Sequence, residues 1–197
     1  MYENIKKSLF MKRTFVIIFL SFFCYITYAQ PENGNPTNEV GKKLAIEGLK
    51  YYNGRVVAKN VQTAADFFNR SAAYGDMVGE YFLGLCYYNG EGVPQNYAEA
   101  FKWYGKSASQ GCAQALCELG YCYYMGQGVS SDARKAFELY EQSANKGYAK
   151  AQYYLGDCYF NGEGVDADES KARFWYHKAA DQGNEDAKEA LVRLLEE

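Results

Sequence analysis

The stretch with the strongest claim to chemistry in this chain is "SANK", Ser143 to Lys146. A serine and a lysine three residues apart share one side of a helix, and that element carries the nucleophile in penicillin-recognising acyl-transfer enzymes. The two elements that accompany it there, "SDN" and "KTG", are absent, and "SSDA" at 130–133 does not replace the first. Ser143 also has an equivalent 36 residues earlier, Ser107, whose partner position holds Gln110. Repetition explains the pair better than catalysis does. A metal centre has less support still. His177 is the only histidine, and no two cysteines have ligand spacing within a loop. Asn60, Asn96, Asp132 and Asp168 fall one per repeat, each where a helix should open. There a side-chain oxygen accepts an otherwise orphan backbone N–H, and Asn96 with Glu99 has the spacing of a capping box. No carboxylate pair is forced into an apolar pocket by the pattern, so general acid–base work has no candidate. The reading is of a non-enzyme with no catalytic residue, cofactor or metal.

These residues are positioned by a period. Gly84, Gly120 and Gly156 lie 36 apart, and so do Gly90, Gly126 and Gly162. Four units follow from this, at 40–75, 76–111, 112–147 and 148–183, with 184–197 as a C-terminal capping helix. In unit three Ala115, Leu119 and Tyr123 mark one face of a helix, and Ala136, Tyr140 and Ala144 mark one face of a second. Each unit is thus a helical hairpin whose apolar seam needs a neighbouring unit to cover it. Gly90, Gly126 and Gly162 are placed to end the first helix, and Val93, Val129 and Val165 to plug the following loop into the core. Gly48, Gly84, Gly120 and Gly156 fall inside a helix, where glycine costs about 1 kcal/mol relative to alanine. Their shared phase implies a close approach by the second helix.

The chain of 197 residues has a formal charge of −3 and 20 tyrosines. Residues 1–29 carry Lys6, Lys7, Lys12 and Arg13 against Glu3, a charge of +3, which leaves −6 for the rest. An acidic body offers nothing to neutralise phosphates, so nucleic acid is excluded as a partner. Residues 1–29 read as a cleaved signal peptide: a basic end, the apolar run "TFVIIFLSFFCYI", then Thr27 and Ala29 spaced for cleavage. That run is shorter than the roughly 20 residues of a membrane-crossing helix, so no stable transmembrane segment is expected after cleavage. The turn-rich segment 30–39 reads as a linker. A periplasmic or secreted location follows as an expectation.

The repeated strings, most fully "AQYYLGDCYFNGEGVDADESKARFWYHKAADQG" at 151–183, resemble the Sel1-like repeat family. In unit three the matching positions include Ala115, Leu119, Gly120, Tyr123, Gly126, Gly128, Val129, Asp132, Lys135, Ala136, Tyr140 and Gly147. The resemblance implies an all-α fold, a right-handed alpha-alpha superhelix of antiparallel hairpins like the tetratricopeptide arrays. It also implies an adaptor or scaffold that binds a protein or peptide partner, with no catalytic residues to carry over. A cysteine-rich subset of the family, linked to penicillin binding, staples the two helices of each unit. Here the second helices hold no cysteine, so either the five cysteines beyond the signal are mostly free small hydrophobes or one irregular bridge forms.

With Ala115, Leu119, Gly120 and Tyr123 assigned to packing, the remaining first-helix positions face outward, on the surface that is concave in related arrays. They are Tyr81, Leu85 and Tyr88 in unit two, Cys117, Tyr121 and Tyr124 in unit three, and Tyr153, Asp157 and Phe160 in unit four. Glu80, Glu118 and Asp157 would add acidity and favour a basic or amide-rich ligand. Trp103 and Trp175 share a phase with Phe67 and Leu139 and belong to the scaffold. The leading functional reading is recognition of a protein or peptide on this surface. The alternatives are binding of cell-envelope peptidoglycan or carbohydrate, or a beta-lactamase-like hydrolase.

Overall fold

The computed structural model describes residues 36–196, and among these every regular element is an α-helix. The signal-peptide assignment at 1–29 lies outside the described residues. Helix α1 spans Pro36–Asn53, so it begins inside the segment 30–39 expected to be a linker. The others are α2 (Val61–Ala73), α3 (Met77–Asn89), α4 (Tyr97–Ser109), α5 (Ala113–Met125), α6 (Ala133–Asn145), α7 (Ala149–Asn161), α8 (Glu169–Asp181) and α9 (Glu185–Glu196). Consecutive helices pack in pairs, α1 with α2, α3 with α4, α5 with α6 and α7 with α8, and each pair leans on the next. The result is a solenoid of hairpins closed by α9.

The second helix of each hairpin starts where the cap residues stand. Asn60, Asn96, Asp132 and Asp168 accept from the backbone N–H of Thr63, Glu99, Lys135 and Lys171 at 3.0–3.1 Å. The capping box at Asn96 is only half made. The Asn96 N–H donates to the Tyr87 carbonyl instead, and the Glu99 carboxylate pairs with Lys102. The first helices of units two to four end at a left-handed glycine, Gly90, Gly126 or Gly162, with φ of 69–72°.

The close approach inside the first helices is real. A Cβ on Gly84, Gly120 or Gly156 would stand 2.7, 2.9 or 2.5 Å from the ring of Tyr104, Tyr140 or Tyr176. Gly48 stands in the same relation to Phe68, at 2.6 Å. Stacking between units uses a different glycine. Gly92, Gly128 and Gly164 press on the backbone of Val61, Tyr97 and Ala133, the start of the previous unit's second helix. Unit one has Val56 at that position, 76% exposed, with no earlier hairpin among the described residues for it to meet. The segment "GRVVAKN" at 54–60 accordingly lacks the second glycine of the later loops.

In α9, Ala187, Ala190 and Leu194 are buried and Leu191 packs against the same core. Leu195, next to Leu194 in the capping helix, is 78% exposed. The heptad phase carries Leu194 inward, and its immediate neighbour points away.

Candidate functional site

Two hydrogen-bond ladders run along most of the stack and decide which side chains remain for function. Ser71, Ser107 and Ser143, all fully buried, donate through Oγ to the carbonyls of Gly41, Met77 and Ala113, each 30 residues back, at 2.6–2.8 Å. Ser143 is therefore one rung of a hairpin clasp, enclosed and committed, and it does not form a nucleophile with Lys146. The second ladder links units. Tyr52, Tyr88 and Tyr124 donate to Glu91, Gln127 and Glu163, each 39 residues on, at 2.8, 2.6 and 3.2 Å. The acceptors are the middle residues of the glycine-rich loops. At the next position the tyrosine gives way to Phe160, and α9 follows instead of another such loop.

The expected outward residues now separate. Tyr81, Leu85, Tyr88, Tyr121, Tyr153 and Asp157 are half-buried, while Tyr124 and Phe160 are exposed. Cys117 is fully buried, a correction that follows from its place against the next first helix. Glu80 and Glu118 are also buried. Glu80 accepts from Gln110 Nε2 at 2.7 Å, and burial raises its carboxyl above the usual range against the opposing pull of that bond. Glu118 pairs with Lys150 Nζ at 2.8 Å. Burial works to lower the Lys150 ammonium, but the Glu118 carboxylate, Cys117 and Tyr154 together hold the ammonium above its ordinary value. Neither acid is free for a ligand.

Asp157 differs. It accepts from Tyr176 Oη at 2.7 Å, and burial raises its carboxyl although Tyr176, Tyr153 and Arg193 pull the other way. Among the described residues no cation pairs with it. Tyr88 and Tyr124, chosen from sequence as contact residues, serve the inter-unit ladder through their hydroxyls while their rings stay at the surface.

The rings form a continuous line across units. Tyr81 meets Tyr104 at 6.1 Å, Tyr104 meets Tyr88 at 6.4 Å, and Tyr88 meets Tyr121 at 6.4 Å across the unit boundary. Tyr121 then stacks on Tyr154 at 6.0 Å, which meets Tyr153 at 5.5 Å. Sequence reasoning missed Tyr154, Lys150 and Arg193. Lys150 lies 32 residues from Glu118, outside the 36-residue register, and that left no periodic signal.

The five described cysteines are unpaired and buried. Burial pushes the thiols of Cys86, Cys122 and Cys158 up to about 12, with Glu91, Glu118 and Glu163 adding to it in turn. They are small core hydrophobes, not a stapled set. Among the described residues no group of three or more His, Cys, Asp or Glu could hold a metal ion, and no helix is long and apolar enough to cross a membrane.

Known proteins place the architecture. The Sel1 repeat matches at residues 43–76, 78–112, 113–148 and 149–184, close to the hairpin boundaries described above. The chain belongs to the Sel1 repeat family. A protective antigen of uropathogenic Escherichia coli with this fold is 43% identical over 73% of the chain, with a TM-score of 0.68. A Sel1 repeat protein from Oxalobacter formigenes is 33% identical over 75% of the chain, with a TM-score of 0.71. The chain spans 31% and 59% of the lengths of those two proteins. Cysteine rich protein B of Helicobacter pylori shares the fold at 24% identity and a TM-score of 0.53, over 70% of this chain and 98% of its own. Comparison with curated proteins finds no match. The chain is a Sel1 repeat scaffold.

Proposed function

We propose that this Sel1 repeat chain is an exported adaptor that holds a protein or peptide partner on the face built by α3, α5 and α7, the concave one in a superhelix of this kind. One observation carries the reading. The tyrosine line crosses unit boundaries on that face, Tyr88 to Tyr121 and Tyr121 to Tyr154, so a ligand laid along it meets one surface and not three separate ones. Rigid rings with polar tips supply contact area at low entropic cost. The repeats themselves need the buried Ser, Gly and Tyr rows for stacking, and those rows leave Tyr81, Leu85, Tyr121, Tyr153 and Asp157 with edges in solvent. Export to the periplasm or beyond rests on the basic-apolar-small pattern of residues 1–29.

The test is site-specific photo-crosslinking in intact cells. A benzophenone side chain at position 85 or 121 is expected to capture a partner, whereas the same group at exposed Glu138 on α6 is not. Equal capture from both faces would reject the assignment, and capture of peptidoglycan fragments would replace the protein partner with a wall ligand.

A further inference from the structure

We infer that the face of α3, α5 and α7 selects an extended peptide carrying a basic side chain over Asp157 and an apolar side chain over Leu85. This rests on the adaptor reading and names the chemistry of its ligand.

The rows that build the stack keep their residue type from unit to unit. Glycine recurs at 84, 120 and 156, tyrosine at 104, 140 and 176, and cysteine at 86, 122 and 158. The row at 85, 121 and 157 changes completely, from Leu to Tyr to Asp, although all three side chains are half-buried on equivalent helices. Stacking does not dictate their chemistry, so they are free to discriminate. At one end Asp157 is half-buried and holds the Tyr176 hydroxyl, with no ion pair among the described residues, whereas Glu80 and Glu118 are buried against Gln110 and Lys150. Glu163 and Asp186 add negative potential around Asp157 and Tyr153, against the guanidinium of Arg193.

The other end carries a second, independent observation. Tyr104 is fully buried and its hydroxyl has no hydrogen-bond partner among the described residues. Its ring lies against Gly84 as the ring of Tyr176 lies against Gly156. The Tyr176 hydroxyl meets Asp157, so the Tyr104 hydroxyl points to the equivalent position, Leu85, which accepts nothing. A main-chain carbonyl laid beside Leu85 supplies the missing acceptor once that side chain turns aside. Packed helices lie about 10 Å apart, so positions 85 and 157 are roughly 20 Å apart, about six residues of extended peptide.

Panning a random 12-residue peptide library on the full chain tests this. Enriched sequences are expected to hold Lys or Arg about six residues from Leu, Ile or Phe. A labelled consensus peptide should bind Asp157→Asn at least tenfold more weakly, and panning on that variant should lose the basic position. Tyr104→Phe should weaken the same peptide severalfold with an unchanged or raised melting temperature. Enriched peptides with no basic position, or equal affinity for wild type and Asp157→Asn, would overturn the inference. If Tyr121→Ala, with its melting curve retained, still abolishes binding in that case, the adaptor reading survives alone. A library that yields no binder would reject both.

Discussion

Tyr176 donates its hydroxyl to Asp157 at 2.7 Å, while Tyr104, two repeats earlier and in the same ring position, has no acceptor among the described residues. The contrast makes two identical deletions unequal. A hydrogen bond to a carboxylate contributes about 1.5–3 kcal/mol, and an unpaired buried hydroxyl costs about 1–3 kcal/mol. Tyr176→Phe should therefore lower unfolding free energy by about 2 kcal/mol, and Tyr104→Phe should leave it unchanged or raise it by about 1 kcal/mol. Urea denaturation of the two variants checks this; equal losses would mean that the Tyr104 hydroxyl does have a partner in solution.

Helix propensity and packing make opposite forecasts for the glycines, and alanine substitution decides between them. Propensity alone gives any glycine-to-alanine change in a helix a gain of about 1 kcal/mol. A Cβ at Gly156 meets the Tyr176 ring at 2.5 Å, and such overpacking costs about 1–3 kcal/mol. Gly105 on α4 has nothing within 4 Å and supplies the control. Thermal melts should show Gly105→Ala stabilised and Gly156→Ala destabilised, with Gly120→Leu more severely affected because a larger side chain meets Tyr140. A stabilised Gly156→Ala would remove the close-approach account.

Much of this was legible because the stack forces its own register on the sequence. Gly120 recurs in all four hairpins, and Tyr140, Ser143 and Asp132 recur at 36-residue spacing with Phe68, Ala179 and Asn60 or Asn96 as the exceptions, since each serves a contact that the stack repeats. Burial at the face was harder to read. Periodicity puts Glu118 and Cys117 on the outward side of α5, yet α7 packs beside them and Lys150 reaches back to cover the carboxylate. Contacts between units depend on the angle at which hairpins stack, and no local pattern records that angle. The same limit hid the ladder from Tyr88 to Gln127, since a 39-residue interval is visible only once two repeats stand side by side.

Lys150 and Glu118 offer a test of that cross-unit contact. The Glu118 side chain is 11% exposed and Lys150 keeps 40% of its own surface in water. Removing one partner of a fully buried pair costs about 3–5 kcal/mol, whereas exposed pairs contribute about 1 kcal/mol or less. Lys150→Met, which strands the enclosed carboxylate, should cost about 2 kcal/mol. Adding Glu118→Gln to it should recover part of the loss. A double-mutant cycle by chemical denaturation measures the coupling, and strictly additive losses would dismiss the pair as structural.

Asp157 predicts a pH dependence of unusual sign. Burial raises its carboxyl in the folded state, so in the window from the unfolded value of about 3.9 up to the raised folded value the native chain holds more protons than the unfolded one. Stability from this group is thus full below that window and falls as pH rises through it, the reverse of a salt-bridged aspartate. Glu80 is raised by burial as well and contributes the same slope, so the wild-type curve alone does not isolate either group. The difference between wild type and Asp157→Asn does. Asparagine keeps an acceptor for Tyr176 and carries no charge, so it should match wild type near pH 4 and exceed it at pH 7. Guanidinium denaturation at four or five pH values reads the difference directly. A wild type that gains on the variant as pH rises would show that Asp157 is stabilised as an anion, with Arg193 drawn close enough to neutralise it.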